Sequence, residues 1–249
     1  MKRTALITGA NGGIGHATIE VFEEAGWTTY AIDRKESSNF SPGVNFYQAN
    51  VADPDAVSQL FSWLHERTDH LDALVNNAAI QISKPLVEMT VEEWDATMAS
   101  NLTSVFLTMK AAHPLLKIAQ GAIVNVSSVH AIATSIGVAA YAASKGAVME
   151  LTREMAIEFA KDKINVNAIL PGAVDTSMLR SGLDRGHVEG DSIEEKLQDL
   201  GRKTLMGRVG QPREIAQAIL FLADNERSSF ITGEVMIIDG GATARLSTE

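Results

Sequence analysis

The chain has 249 residues and no cysteine, which excludes disulfides, thiolate catalysis, iron–sulfur clusters and cysteine-ligated zinc. Positive charge is also short: 21 Lys plus Arg stand against 31 Asp plus Glu, a formal net charge of −10. A face built to neutralise phosphates along a nucleic acid is therefore not expected. Long apolar runs are missing. The least polar stretch, around 132–141, is too short to span a bilayer and contains Thr, Ser and Gly. Met1-Lys2-Arg3-Thr4 leads into a short apolar strand and a glycine cluster, without the apolar segment and small-residue cleavage site of an export signal, so a cytoplasmic protein is expected. The six histidines, His16, His65, His70, His113, His130 and His187, are scattered, and none forms the close pair with carboxylates that a zinc enzyme displays. No tightly bound catalytic metal is expected.

What is present is a globular composition, 45% hydrophobic and 21% charged, at a length that fits one large core or two small domains. Short β-rich apolar runs at 5–7, 28–32, 44–49, 71–75, 122–126, 164–170 and 234–238 alternate with helical patterns at about 14–25, 55–67, 91–118, 141–160 and 212–223. Strands separated by helices require parallel pairing, and a run such as Ile123 to Val126 suits a sheet covered on both faces. The expectation is a doubly wound α/β fold, a mostly parallel seven-stranded sheet with helices on both sides. No linker or internal repeat divides the series, so residues 1–249 are read as one domain. The segment 177–206 departs from this regularity, with Met178, Leu179, Leu183, Ile193, Leu197 and Leu200 set among charges and glycines. It reads as two short amphipathic helices on a mobile flap over an active site, or as an ordinary surface excursion.

Thr8-Gly9-Ala10-Asn11-Gly12-Gly13-Ile14-Gly15 follows a strand and opens a helix. Glycines there let the backbone turn sharply and approach a pyrophosphate, which free N–H groups and the helix dipole favour. The Rossmann spelling G-x-G-x-x-G is incomplete, because Thr18 occupies the third position after Gly13 and Gly15. Support comes from Asp33, 20 residues after Gly13 at the end of the second strand. A carboxylate there accepts hydrogen bonds from adenosine ribose hydroxyls and repels a 2′-phosphate, so NAD is the expected cofactor. Arg34 follows directly and could hold a 2′-phosphate, leaving dual use open. Tyr141 and Lys145 stand at i and i+4 and share one helix face, which lets an ammonium lie near the phenol and pull its pKa down from about 10.

These motifs resemble the short-chain dehydrogenase/reductase family along nearly the whole chain. Its T-G-x-x-x-G-x-G element is matched at Thr8, Gly9, Gly13 and Gly15, and its N-N-A-G element at Asn76-Asn77-Ala78-Ala79, with alanine for the last glycine. The adenine-contacting Asp-Val is here Asn50-Val51, Pro171-Gly172 with Thr176 matches P-G-x-x-x-T, and Ile237-Ile238-Asp239-Gly240-Gly241 matches the terminal strand. Tyr141-Ala-Ala-Ser-Lys145 spells Y-x-x-x-K, with Ser128 and Asn101 placed 13 and 40 residues before Tyr141. The resemblance implies that Tyr141 exchanges a proton with the substrate oxygen and that Ser128 orients that oxygen. It further implies that Lys145 binds the nicotinamide ribose and that Asn101 holds a water linking Lys145 to solvent. Asn11, Ile14, Ala78 and Val174 join the implied cofactor set.

The substrate side is expected to include Gln81 and His130, polar groups that suit a sugar, polyol or hydroxy acid. Met178, Leu179 and Met206 could equally cover an apolar body. Three functions follow: an NAD-dependent secondary-alcohol dehydrogenase or ketone reductase, a 3-oxoacyl-acyl-carrier-protein reductase using NADPH, and a non-catalytic nucleotide sensor. Intact catalytic positions disfavour the sensor. The resemblance also implies a homotetramer formed through two long central helices. Ala139, Ala140, Ala142, Ala143, Ser144, Gly146 and Ala147 make one of those helices small-sided, which suits either a neighbouring subunit or the protein's own sheet.

Overall fold

A computed structural model describes residues 2–36, 40–183 and 188–244. His187 and the flap positions beside it, 184–187, lie outside the described residues. Seven strands form one parallel sheet: β1 (Thr4–Thr8), β2 (Thr28–Asp33), β3 (Asn45–Gln48), β4 (Ala73–Asn76), β5 (Ala122–Val126), β6 (Asn165–Pro171) and β7 (Val235–Ile238). Their order is β3-β2-β1-β4-β5-β6-β7, with every pair parallel. The strand order reverses between β1 and β4, and the crevice at such a switch point is where doubly wound sheets receive ligands.

The helices are α1 (Gly13–Glu24), α2 (Pro54–His65), α3 (Val91–Met98), α4 (Ser104–Ala119), α5 (Ala139–Phe159), α6 (Ser177–Ser181), α7 (Ile193–Arg202), α8 (Pro212–Ala223) and α9 (Asn225–Ser228). Alternation along the strands divides the core into two layers. Leu6, Ile32, Leu74, Ile123 and Val166 point towards α2, α4 and α5, while Ala5, Ile7, Ala31, Val75, Val124 and Ile169 point towards α1 and α8. The central strands β1, β4, β5 and β6 are buried on both faces, as their uninterrupted apolar runs require, while the edge strands β3 and β7 are partly exposed.

Local chemistry fixes the ends. The Asp53 carboxylate accepts from the amides of Asp55 and Ala56 ahead of Pro54, which starts α2 at its first turn. Thr90 with Glu93 and Ser192 with Glu195 form capping boxes on α3 and α7. The helix expected over 91–118 is interrupted: α3 passes into a π-helical turn, Ala99–Thr103, before α4 resumes. No glycine or proline stands between Ala99 and Thr103, so the sequence pattern carries no mark of the interruption. The strand expected over 44–49 shortens to Asn45–Gln48, a half-buried edge strand. The segment 177–206 contains the two short helices α6 and α7.

Candidate active site

A cavity of about 500 Å³ lies over the strand ends. Its walls include the glycine loop, the end of β2, the turn after β4, the end of β5, the start of α5, the turn after β6, and parts of α6 and α7. Of the expected residues, Gly9, Asn11, Gly13, Ile14, Asp33, Arg34, Asn77, Gln81, Ser128, His130, Tyr141, Lys145, Pro171, Gly172, Val174 and Thr176 line it.

The glycine loop is locked to the turn after β4 by side chains of both motifs. The Thr8 hydroxyl accepts from the amides of Asn77 and Ala78, at 3.0 and 3.1 Å. Asn77 Nδ2 donates to the carbonyls of Thr8 and Gly9, at 3.0 and 3.1 Å. Gly9 has φ +67, and a Cβ there would meet Ala78 Cα at 2.8 Å. Gly15 is inside α1 and does not line the cavity; a Cβ on it would stand 2.2 Å from the Gly9 carbonyl, so it permits the close crossing of loop and helix. Ala78 likewise acts through its amide.

The residues fit a dinucleotide on two independent observations. Gly12 caps α1 without any side-chain hydrogen bond, so the first-turn amides are left for an anion. At the end of β2 the two oxygens of Asp33 accept from the amides of Asn11 and Lys35, at 3.0 and 2.9 Å, which fixes a carboxylate where ribose hydroxyls would arrive. Asn50 and Val51 are different. Val51 is buried in the α2 side of the core, the Asn50 side-chain oxygen accepts from the Ala52 amide, and neither lines the cavity.

At the other end, Ser128 caps a short 3-10 turn and accepts from the His130 amide at 3.2 Å. His130 stands edge-on to the Tyr141 ring, centroids 5.8 Å apart, and its Nδ1 is 3.2 Å from the Thr134 hydroxyl. Tyr141 sits in the first turn of α5 and is 8% exposed. Burial pushes the phenol pKa up, and its hydrogen bond with Ser128 offsets part of that rise. The expectation that Lys145 draws the phenol down is corrected here. The Lys145 ammonium lies 5.6 Å from the Tyr141 ring centroid and donates to the Val126 carbonyl at 2.7 Å. Burial lowers its own pKa to about 8, because a cation so enclosed loses its hydration.

Asn101 is fully buried in the π turn and does not line the cavity; its side-chain oxygen accepts from the Ile80 amide at 2.8 Å. Its Nδ2 donates to the Ile80 carbonyl at 2.9 Å and to the Ser144 hydroxyl at 3.0 Å. With these bonds the side chain is a clamp between the turn after β4 and α5. Ser144 completes the clamp by donating to the Tyr141 carbonyl at 2.7 Å.

Several wall residues escaped the sequence reading. Ser127 lies beside Ser128 and donates to the Lys145 carbonyl at 2.7 Å; the paired serines were the available signal. Lys35, Ala173, Lys203 and Thr204 line the cavity with no motif to announce them. Below the site runs a buried polar chain. Thr108 donates to Asn76 at 2.7 Å, Asn76 to Asn125 at 2.9 Å, and Asn125 to Thr152 at 3.0 Å, joining α4, β4, β5 and α5. Among the described residues no cluster of three or more His, Asp or Glu is placed to hold a metal, and no helix is long and apolar enough to cross a membrane.

A parallel sheet with an anion-ready glycine loop at its switch point, opening on a buried serine, tyrosine and lysine, defines the class as dinucleotide-binding oxidoreductases. Residues 9–243 match the family described as enoyl-(acyl carrier protein) reductase. The chain is 39% identical to the 3-oxoacyl-acyl-carrier-protein reductase FabG of Thermotoga maritima, over 96% of this chain and 97% of that one. It is 34% identical to a cyclopentanol dehydrogenase of Comamonas, over 97% of each. The ligand-free aldohexose dehydrogenase of Thermoplasma acidophilum superposes with a TM-score of 0.92 at 30% identity, covering 99% of this chain and 96% of that one. Levodione reductase superposes with a TM-score of 0.90 at 28% identity, covering 98% of each chain. The chain belongs to the short-chain dehydrogenase/reductase family, and it is an oxidoreductase of that type, acting between hydroxyl and keto groups with a nicotinamide cofactor, NAD or NADP.

Proposed function

We propose that this protein transfers hydride between NAD(H) and a small polar secondary alcohol or its ketone. The observation that carries the reading is the placement of Ser128, Tyr141 and Lys145 in one cavity with a glycine loop and the fixed carboxylate of Asp33. When bound, the nicotinamide supplies the hydride acceptor or donor. In oxidation the Tyr141 oxygen takes the proton from the substrate hydroxyl, and in reduction it returns that proton to the carbonyl oxygen. Ser128, which hydrogen-bonds the phenol, orients the same substrate oxygen. Lys145, with Nζ held at Val126, is the group that meets the nicotinamide ribose, while Asn101 and Ser144 keep the α5 turn in register. Gln81 and His130 face the substrate, and the α6–α7 segment covers it.

Asp33 supports NAD over NADP, because its charge opposes a 2′-phosphate and both its oxygens are oriented by backbone amides. The second reading, a 3-oxoacyl-acyl-carrier-protein reductase using NADPH, is favoured by the similarity to FabG and by Arg34 and Lys35 beside Asp33 on the cavity wall. Titration with both cofactors, followed by a panel of sugars, polyols, hydroxy acids and ketones, decides between them. NADH binding at least tenfold tighter than NADPH is expected; equal or tighter NADPH binding selects the second reading.

The proposal includes a cytoplasmic, single-domain subunit that assembles as a homotetramer through α4 and α5. Ala140 and Ser144 are buried within the subunit, whereas a Cβ on Gly146 would meet nothing within 4 Å. Ala143, Phe106 and Ile157 are exposed on the same helices, an apolar surface suited to a neighbour.

A further inference from the structure

The glycine loop and the turn after β6 meet at Gly13, the first residue of α1. A Cβ there would stand 2.8 Å from Thr176 Cγ2, 3.3 Å from Thr176 Cβ and 3.6 Å from Pro212 Cγ at the start of α8. Conformation does not ask for glycine at this position, because Gly13, unlike Gly9, has no positive φ, and alanine is the better helix former. What asks for it is the neighbour. Gly13 and Thr176 both line the cavity, so their contact sets how far apart two of its walls stand.

Thr176 has little room to withdraw. Its hydroxyl caps α6 by accepting from the Leu179 amide at 3.2 Å, and a β-branched side chain that turned its methyl away would swing this oxygen off the cap. The main chain beside it is pinned: the Gly210 amide donates to the Ala173 carbonyl at 2.8 Å, and the Asp175 amide to the Gly210 carbonyl at 2.9 Å. Arg180 donates to both Asp175 oxygens, at 2.7 and 2.9 Å, which ties α6 to the same turn. On the other side, Gly15 holds α1 close against the Gly9 carbonyl. The Thr176 methyl is thus a stop between two held pieces of chain, and close-packed pieces do not yield by small amounts without cost.

We propose that Thr176 is a positioning residue for the dinucleotide, and that it acts through Gly13. Its methyl, seated on the Cα of Gly13, registers the turn after β6 and helix α6 against the glycine loop, so that the cofactor meets both walls at a fixed separation. The inference rests on the dinucleotide reading and deepens it. Calorimetric titration with NADH and with NADPH tests it without needing the substrate. Gly13→Ala should weaken the tighter of the two by about tenfold or more. Adding Thr176→Ser, which removes Cγ2 and keeps the hydroxyl that caps α6, should return affinity to within about threefold of Thr176→Ser alone. Adding Thr176→Val instead, which keeps a methyl at that place, should give no relief. If Gly13→Ala does not fold, the same pairs are read by thermal unfolding, and Thr176→Ser must restore the transition where Thr176→Val does not. Wild-type affinity in a folded Gly13→Ala, no relief by serine, or equal relief by serine and valine overturns the inference and leaves the dinucleotide reading standing. A wild type that binds neither nucleotide overturns that reading, and the inference with it.

Discussion

The two walls of the cavity are built on different principles. On the strand-end wall, hydrogen bonds join residues distant in sequence: Thr8 with Asn77, Asn101 with Ser144, Asn76 with Asn125, and Asn125 with Thr152. All of these except Asn77 are buried. On the α6–α7 wall the bonds are local, such as Thr176 with the Leu179 amide, Asp175 with Arg180, Ser192 with Glu195 and Asp199 with Lys203. Most side chains there are exposed, with Leu183 and Thr204 among the few that are enclosed. The strand-end wall depends on long-range order that a single change can disturb, whereas the α6–α7 wall is a segment whose exposed residues can change without reaching the core.

The largest expected effect removes one atom from the strand-end wall. Tyr141→Phe should lower kcat by roughly 10²- to 10⁴-fold, the range for loss of a positioned acid or base. Calorimetry should find cofactor affinity within a few-fold of wild type, and turnover near the wild-type value would remove Tyr141 from the chemistry.

Next is Lys145→Met, read as stability. The amine has a folded pKa near 8 against an ordinary value of 10.5, so the unfolded chain binds more protons between those limits. The burial cost is present in full below pH 8 and fades as pH rises towards 10.5. At pH 7 the variant should be more stable than wild type by up to about 3 kcal/mol, since one pKa unit is about 1.4 kcal/mol. Denaturant unfolding at pH 7 and pH 10 should show that difference shrinking; a constant difference would mean the amine is not destabilised by burial.

The third is a matched pair that probes the contrast itself. Asn125→Ala leaves the buried Asn76 amide without its acceptor and opens a cavity beside Thr152, whose hydroxyl keeps its bond to the Val148 carbonyl, and should cost about 2–4 kcal/mol. Ser192→Ala removes an exposed cap on α7, and should cost about 1 kcal/mol or less of global stability. Thermal unfolding of the two variants side by side checks the ordering, and equal losses would erase the distinction between the walls.

The alternating strands and helices, the glycine loop, Asp33 and the Tyr141–Lys145 pair were legible because each depends on side-chain identity at a short fixed spacing. The π turn at Asn101 was not, since no glycine or proline marks it and the Asn101 side chain bonds the backbone of Ile80, a group that leaves no mark in the sequence. The same applies to Lys145, whose partner is the Val126 carbonyl. Spacing placed the ammonium near the phenol, but only the tertiary contact reveals how far burial governs both groups. Asn50 and Val51 matched a motif by position, yet one bonds its own turn and the other fills the core. Lys203 follows a segment whose pattern is merely amphipathic, and its place on the cavity wall depends on how α7 returns to the sheet.

The clip at Asp33 has a consequence for recognition. Because one carboxylate oxygen holds the amide of Asn11 and the other that of Lys35, the loops leaving β1 and β2 are tied together within the folded protein itself. Their freedom is surrendered when the chain folds, so in the proposed NAD site it would not be surrendered again on the arrival of a ribose diol, and the acceptor is already aimed.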